Sequence, residues 1–156
     1  MESEASYESE GHEASTGKLQ ELLRAELSAV ETYELALENV AHVGLHHALQ
    51  EILASHAHRV ERLRTRIGRL GTEPVVSSGV WGTITKALQE GADLLGDRAA
   101  IAVLEQGEDR DLARYNGDFA TCDARTWKFI ESELLPAQQH THELCRALKK
   151  YTDAPS

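Results

Sequence analysis

The stretch that decides the fold lies near the N-terminus, at residues 18–42, and reads KLQELLRAELSAVETYELALENVAH. It contains neither proline nor glycine, and its apolar residues recur every three or four positions, which predicts an amphipathic α-helix. The apolar stripe of this helix contains Leu19, Leu22, Val30, Tyr33, Leu37 and Val40. Glu26 falls in the centre of that stripe, so the pattern directs a carboxylate towards the protein core.

Three further long helices follow from the same periodicity, at residues 45–70, 97–120 and 122–151. Gly44 separates the first two helices, and Gly71 with Pro74 ends the second. Pro136 lies inside the last helix and predicts a kink or a local interruption there.

The connection between the second and third helices is long. Residues 72–79 are predicted as a loop, residues 80–95 as a short amphipathic helix, and Gly96-Asp97 as a break and N-cap. A connection of this length can cross the full length of a bundle, whereas simple up-down bundles have short loops. The sequence therefore predicts an all-α fold, a four-helix bundle with a long crossover that carries a short helix.

Composition limits the partners and the compartment. Residues 1–17 are rich in Glu, Ser and Gly and predict a disordered acidic tail, which leaves residues 18–151 for the bundle. The net charge of -10 argues against nucleic acid and membranes as main partners. No apolar run approaches the roughly 20 residues of a membrane span. Cys122 and Cys145 lie too far apart on one helix to pair, which indicates a reducing cytoplasm.

The other three helices also place polar groups on their apolar stripes. His56 lies mid-stripe in the second helix, and Glu108 is central in the third. Because a buried ionised carboxylate is costly unless it is paired or bound to metal, these groups need a common partner. Iron, manganese or zinc would accept such oxygen and nitrogen ligands. The predicted metal ligands are Glu26, His56, Glu105, Glu108 and His142.

Two helices share a local pattern that indicates a weak internal repeat. Glu26 precedes Tyr33 by seven residues, and Glu108 precedes Tyr115 by seven. Both tyrosines are expected in the core, with their hydroxyls bonded to the carboxylates. In the alternative to a metal site, the two glutamates pair with His56, with these tyrosines or with an arginine of a neighbouring subunit.

The segments LGTEP at residues 70–74 and LEQGED at 104–109 resemble the ferritin-like superfamily, in particular its rubrerythrin-type branch. The closest resemblance is to small bacterial ferritin-like domains of unknown function. Di-iron sites of the superfamily take a Glu from each of two helices and a Glu-x-x-His from each of the other two. The resemblance implies that Glu26, and Glu108 or Glu105, match the two lone glutamates.

The other two helices depart from this motif. The second offers Ser55-x-x-His58 or Leu53-x-x-His56, and the fourth offers Gln139-x-x-His142, none of which contains the motif's Glu. A single metal ion, or a site that has lost its metal, fits this pattern better than a di-iron centre.

Two functions are open at this point. The first is a cytoplasmic ferritin-like protein that binds iron or another divalent metal, with oxygen- or peroxide-linked chemistry if the metal is redox-active. The second is a metal-free structural or partner-binding bundle. The sequence leaves open whether the protein is an enzyme. Leu27 and Leu35, on the outer side of the first helix, indicate self-association as a homodimer in either case.

Overall fold

The computed structural model describes residues 2–79, 86 and 96–155, and this part of the chain is helical without any strand. The helices are α1 (Glu2–Asn39), α2 (Val43–Arg69), α3 (Asp97–Tyr115), α4 (Ala124–Phe129), a π-helical segment (Ile130–Leu134) and α5 (Leu135–Asp153). Helix α4, the π-helical segment and α5 follow one another without a break. Because the described residues form helices and no strand, the all-α prediction is confirmed. The short helix predicted at residues 80–95 lies outside the described residues, apart from Lys86.

Helix α1 is longer than predicted, because it begins at Glu2 rather than near Lys18. The expectation of a disordered tail over residues 1–17 was wrong for the described residues. No proline separates this segment from the helix that follows, and extending an existing helix costs less than nucleating one. The segment is also anchored at Ser15, whose buried hydroxyl donates to Asp123 Oδ2 at 2.7 Å.

The turn between α1 and α2 differs from the prediction in position. Gly44 lies inside α2, and the chain reverses at residues 40–42 instead. The carboxylate of Asp97 accepts the backbone N–H groups of Ala41 and His42 at 2.9 and 2.8 Å. Asp97, predicted as the N-cap of its own helix, therefore stabilises the α1–α2 turn. Gly96, at φ 72°, is the residue that precedes α3.

Helix α3 ends at Tyr115 rather than Ala120, because Asn116-Gly117 forms a turn in which the Gly117 N–H donates to Arg114 O at 3.1 Å. Helix α4 begins at Ala124, and the carboxylate of Asp123 accepts the Thr126 N–H at 2.9 Å as its N-cap.

The predicted interruption at Pro136 is confirmed. The π-helical segment Ile130–Leu134 ends two residues before this proline, and Pro136 is the second residue of α5. A proline ring clashes with the carbonyl four residues earlier and supplies no N–H, so the wider π-turn accommodates it without breaking the helix.

Helix α1 packs along α2, and α3 packs along α5, with less extensive contacts between α1 and α3 and between α2 and α5. Among the described residues, the apolar core consists of two clusters, one around Leu49, Ile52 and Ile101 and the other around Leu63, Ile67 and Leu134. Within the described ranges, none of the helices combines the length and the apolar character that a membrane span requires.

Two smaller expectations are also answered by the packing. Cys122 and Cys145 are both unpaired, as their spacing predicts. Leu27 and Leu35, expected on an outer face, are instead half-buried against the two core clusters of their own chain.

Candidate functional site

The two apolar clusters are separated by a layer of buried polar side chains, and His56 lies at its centre. Its Nδ1 lies 2.6 Å from Glu26 Oε2 and its Nε2 lies 2.8 Å from Glu108 Oε1. All three side chains are at least 98 % buried. Nδ1 also lies 3.0 Å from Arg59 Nη2, which is a longer contact than the one it makes with Glu26. Because the nearest partner of each ring nitrogen is a carboxylate oxygen, which only accepts hydrogen bonds, both nitrogens carry a proton and His56 is a buried imidazolium.

Arg59 brings a second buried cation, one helical turn after His56 on α2. Its Nη1 lies 3.1 Å from Glu26 Oε1 and also donates to Gln138 Oε1. Its Nη2 donates to Thr141 Oγ1 at 3.2 Å. Glu26, His56, Arg59 and Glu108, called the charge network below, thus contain two positive and two negative groups and are electrically balanced.

Two tyrosines connect the charge network across α1 and α3. The Tyr33 hydroxyl on α1 donates to Glu108 Oε1 on α3 at 2.7 Å, and the Tyr115 hydroxyl on α3 donates to Glu26 Oε1 on α1 at 2.6 Å. The tyrosine of each helix therefore donates a hydrogen bond to the glutamate of the other helix. Because each tyrosine lies seven residues after the glutamate of its own helix, α1 and α3 run antiparallel. The predicted bonding of both hydroxyls to the carboxylates is confirmed.

Helix α5 completes the polar layer with two neutral side chains. Gln138 Nε2 donates to Glu108 Oε2 at 2.8 Å, and Thr141 Oγ1 donates to the same oxygen at 3.0 Å. Among the described residues, the only buried side-chain nitrogen or oxygen without a partner is Arg66 Nε, outside this layer. Each buried side-chain nitrogen and oxygen of the charge network thus has at least one partner within the chain.

The protonation states follow from burial and from these partners. Burial alone would disfavour the imidazolium, and the neighbouring Arg59 opposes it too, but Glu26 and Glu108 outweigh both and raise the pKa of His56 to about 9. Burial likewise acts to raise the pKa of Glu26, yet His56 and Arg59 hold it below its usual value. The pKa of Glu108 is lowered mainly by His56 against the same burial. His56 is therefore protonated, and Glu26 and Glu108 are ionised, near neutral pH.

This arrangement does not suit a cation. The two carboxylates lie on opposite sides of the imidazole ring and engage both ring nitrogens, so neither nitrogen has the free lone pair through which a histidine binds metal. Arg59 adds a positive charge where a metal ion would have to approach Glu26. In the part of the chain that the structure describes, no group of three or more His, Cys, Asp or Glu side chains has the geometry of a metal site.

The five predicted ligands are divided by the structure. Glu26, His56 and Glu108 meet, as described. Glu105 is half-buried at the edge of α3 and makes none of the contacts of the charge network. His142 lies near the surface, where its Nε2 is 2.6 Å from Asp109 Oδ1.

Sequence reasoning missed Arg59 and Gln138, although the signal was present. Arg59 follows Ile52 by seven residues and precedes Leu63 by four, which places it on the apolar stripe of α2. Gln138 follows Leu134 by four residues and is fully buried. The inward pairs are therefore His56-x-x-Arg59 and Gln138-x-x-Thr141, not the pairs ending at His56, His58 or His142.

Comparison with known proteins gives one family. No curated protein and no solved structure matches the chain significantly. A family model described as a domain of unknown function, DUF2383, matches residues 14–117, a range that contains α2, α3, most of α1 and all four residues of the charge network. The chain therefore belongs to the DUF2383 family of domains of unknown function.

Proposed function

We propose that this protein is a metal-free helical bundle with a structural and binding role, in which the charge network replaces a metal ion. The observation that carries this proposal is the double engagement of His56, whose two ring nitrogens lie 2.6 and 2.8 Å from two different carboxylates. With Arg59 paired to Glu26, both carboxylates are neutralised by side chains of the same chain. No charge is left over for a bound cation to compensate.

The charge network would act by fixing how the helices meet. Its members and their hydrogen-bond partners come from α1, α2, α3 and α5, so a shift of any one helix breaks charge-assisted bonds in a buried layer. A broken buried ion pair costs about 3–5 kcal/mol. A well-satisfied polar layer between two apolar clusters therefore favours a single register of the helices.

We also propose that the four helices form a ferritin-like four-helix bundle with residues 70–96 as a crossover. The pairing of α1 with α2 and of α3 with α5 supports this architecture. In ferritin-like di-iron bundles, two helices supply inward residues three apart, a Glu followed by a His. Here those positions correspond to His56 with Arg59 and to Gln138 with Thr141, so each carboxylate and each imidazole of the motif is replaced.

Oligomeric state and compartment are proposals as well. The two unpaired cysteines are compatible with a reducing cytoplasm. A homodimer would bury exposed apolar side chains such as Val43 and Trp127, which are 77 % and 46 % exposed. Light scattering coupled to size-exclusion chromatography tests the dimer directly.

A metal site is the second candidate, and one observation favours it. Glu26, His56 and Glu108 converge from three helices, and carboxylates with an imidazole are ligands for iron, manganese or zinc. Binding would require His56 to release a proton and Arg59 to leave Glu26. Metal affinity would therefore rise steeply with pH.

The test combines metal analysis with an observation of His56. The purified, untagged protein is analysed by plasma mass spectrometry before and after loading with ferrous iron under argon. The metal-free proposal predicts less than about a tenth of an equivalent of any metal. It also predicts two slowly exchanging ring N–H signals from His56 in the ¹⁵N NMR spectrum near neutral pH.

The controls separate the two candidates. His58→Gln removes an exposed imidazole from the same helix and should leave both N–H signals in place. Stoichiometric metal that is lost in the double variant Glu26→Ala, Glu108→Ala would overturn the metal-free proposal and establish the second candidate. A neutral His56 with a single ring proton at pH 7 would contradict the proposed charge balance even if no metal were found.

A further inference from the structure

A cavity of about 430 Å³ lies between α1 and α3, beside the charge network. Tyr33 and Glu108 contribute to its inner wall. The cavity exists because small residues face it, including Ala25 and Ala29 on α1 and Gly107 on α3. Apart from its chain neighbours and the backbone of its own helix, no atom of the described residues lies within 4 Å of the position that a Cβ on Gly107 would occupy. Its volume falls in the range of about 300–1,000 Å³ that is usual for small-molecule sites.

Among the described residues, six charged side chains line this cavity, and four of them are already neutralised. Glu108 is bonded to His56. Asp111 pairs with Arg114 at 2.5 Å, and Glu21 pairs with Lys18 at 3.5 Å. These pairs leave two arginines, Arg24 and Arg110, to be accounted for.

Arg24 and Arg110 lie on opposite walls of the cavity, on α1 and α3, and both are exposed to solvent. Neither of them forms an ion pair or a hydrogen bond with any described residue. Two guanidinium groups at one opening, neither with a partner among the described residues, are unusual in a chain with a net charge of -10, which has an excess of acidic side chains. Guanidinium groups bind carboxylate, sulfonate and phosphate groups through paired hydrogen bonds.

The wall behind the arginines is largely apolar. Val103 and Leu104 of α3 face the cavity together with the alanines of α1. A ligand that fits both features has an apolar body and one anionic group. We propose that the cavity between α1 and α3 binds a small amphipathic organic anion, with its apolar part against Ala29, Val103 and Leu104 and its charged group between Arg24 and Arg110. This site does not depend on whether the charge network binds a metal.

The probe for the test is 1-anilinonaphthalene-8-sulfonate, an aromatic sulfonate whose fluorescence rises in an apolar site. Its uncharged relative N-phenyl-1-naphthylamine has the same aromatic frame. We expect the wild-type protein to bind one equivalent of the sulfonate, and the double variant Arg24→Ala, Arg110→Ala to bind it at least about tenfold more weakly. The neutral probe should bind weakly and equally to both proteins. Octanoate should displace the sulfonate, and inorganic phosphate should not.

Two further variants locate the bound probe. Arg125→Ala with Arg146→Ala removes the same charge from exposed positions elsewhere and should leave the affinity unchanged. Gly107→Leu fills the cavity from α3 without meeting a neighbouring atom at its Cβ and should abolish binding while the thermal transition is retained. Binding that survives both Gly107→Leu and the loss of Arg24 and Arg110 would overturn the proposal. Equal affinity for the two probes, or no saturable binding of the sulfonate, would overturn it as well.

Discussion

The buried imidazolium of His56 makes the stability of the fold depend on pH between about 6.5 and 9. The pKa of His56 is about 9 in the folded protein and 6.5 in an unfolded chain. At about 1.4 kcal/mol for each pH unit, this difference corresponds to about 3 kcal/mol of folding free energy. Because the folded pKa is the higher one, this stabilisation is complete below about pH 6.5 and is lost as the pH rises through about 9.

A change from about pH 6 to about pH 8.5 should therefore lower the free energy of unfolding by about 2 kcal/mol. Glu26 and Glu108, whose pKa values lie below the usual 4.5, stay ionised throughout this range. Burial and the nearby Glu26 raise the pKa of Asp111 to about 6, so the ionised form of Asp111 destabilises the fold. This destabilisation changes little above pH 6 and disappears as the pH falls below it. The pKa of the buried Cys145 thiol is about 12, so its effect begins only above this range.

The assay is urea denaturation at a series of pH values, followed by far-ultraviolet circular dichroism. His56→Gln keeps a polar side chain but removes the titration, so its stability should be lower at pH 6 and nearly independent of pH up to 8.5. His58→Gln, an exposed neighbour on the same helix, should retain the wild-type slope. A wild-type protein that is equally stable at pH 6 and 8.5, or a His56→Gln variant with an unchanged slope, would show that a charged His56 does not stabilise the fold. If His56→Gln does not fold, an NMR titration of His56 in the wild type gives the pKa directly.

Three further predictions concern single side chains. Arg59→Ala should lower the free energy of unfolding by about 3–5 kcal/mol, because Glu26 loses a buried partner. The melting temperature of this variant should rise with added zinc, whereas that of the wild type should not. Tyr115→Phe should cost about 1.5–3 kcal/mol in urea denaturation, because it removes a 2.6 Å bond to a buried carboxylate, and an unchanged midpoint would contradict this. Asp111→Asn should raise the free energy of unfolding at pH 7 by about 2 kcal/mol but not at pH 4, because the buried carboxyl favours its neutral form; equal effects at both pH values would argue against titration of Asp111.

Helix periodicity was enough to predict the all-α fold and three members of the charge network. Glu26, His56 and Glu108 are polar exceptions within otherwise apolar stripes, and such exceptions are visible in a single sequence. The interruption at Pro136 was predictable for the same reason, since proline has one local effect on a helix. Both inferences depend on neighbours within the helix and need no tertiary information.

The role of Arg59 could not be obtained in the same way. Arginine is abundant in this chain and is usually exposed, so one more arginine on a long helix carries little weight. Its burial depends on Gln138 and Thr141 from α5, which lie about eighty residues further along the chain. The start of α1 was missed for a similar reason, because Ser15 is anchored by Asp123 across the fold. In both cases the deciding contact is between distant parts of the chain.

The balance of charge in the core makes Arg59 the residue that distinguishes a metal-free bundle from a metal site. Glu26 and Glu108 occur in matching positions of α1 and α3, each seven residues before a tyrosine that bonds the opposite glutamate. The companion helices do not match, since α2 contributes the cations His56 and Arg59 while α5 contributes neutral side chains. One cationic helix is enough to neutralise two carboxylates, and a second would leave an excess positive charge in a buried layer. A metal ion has the same effect as a second cationic helix, so the presence of Arg59 is the feature that favours a metal-free core.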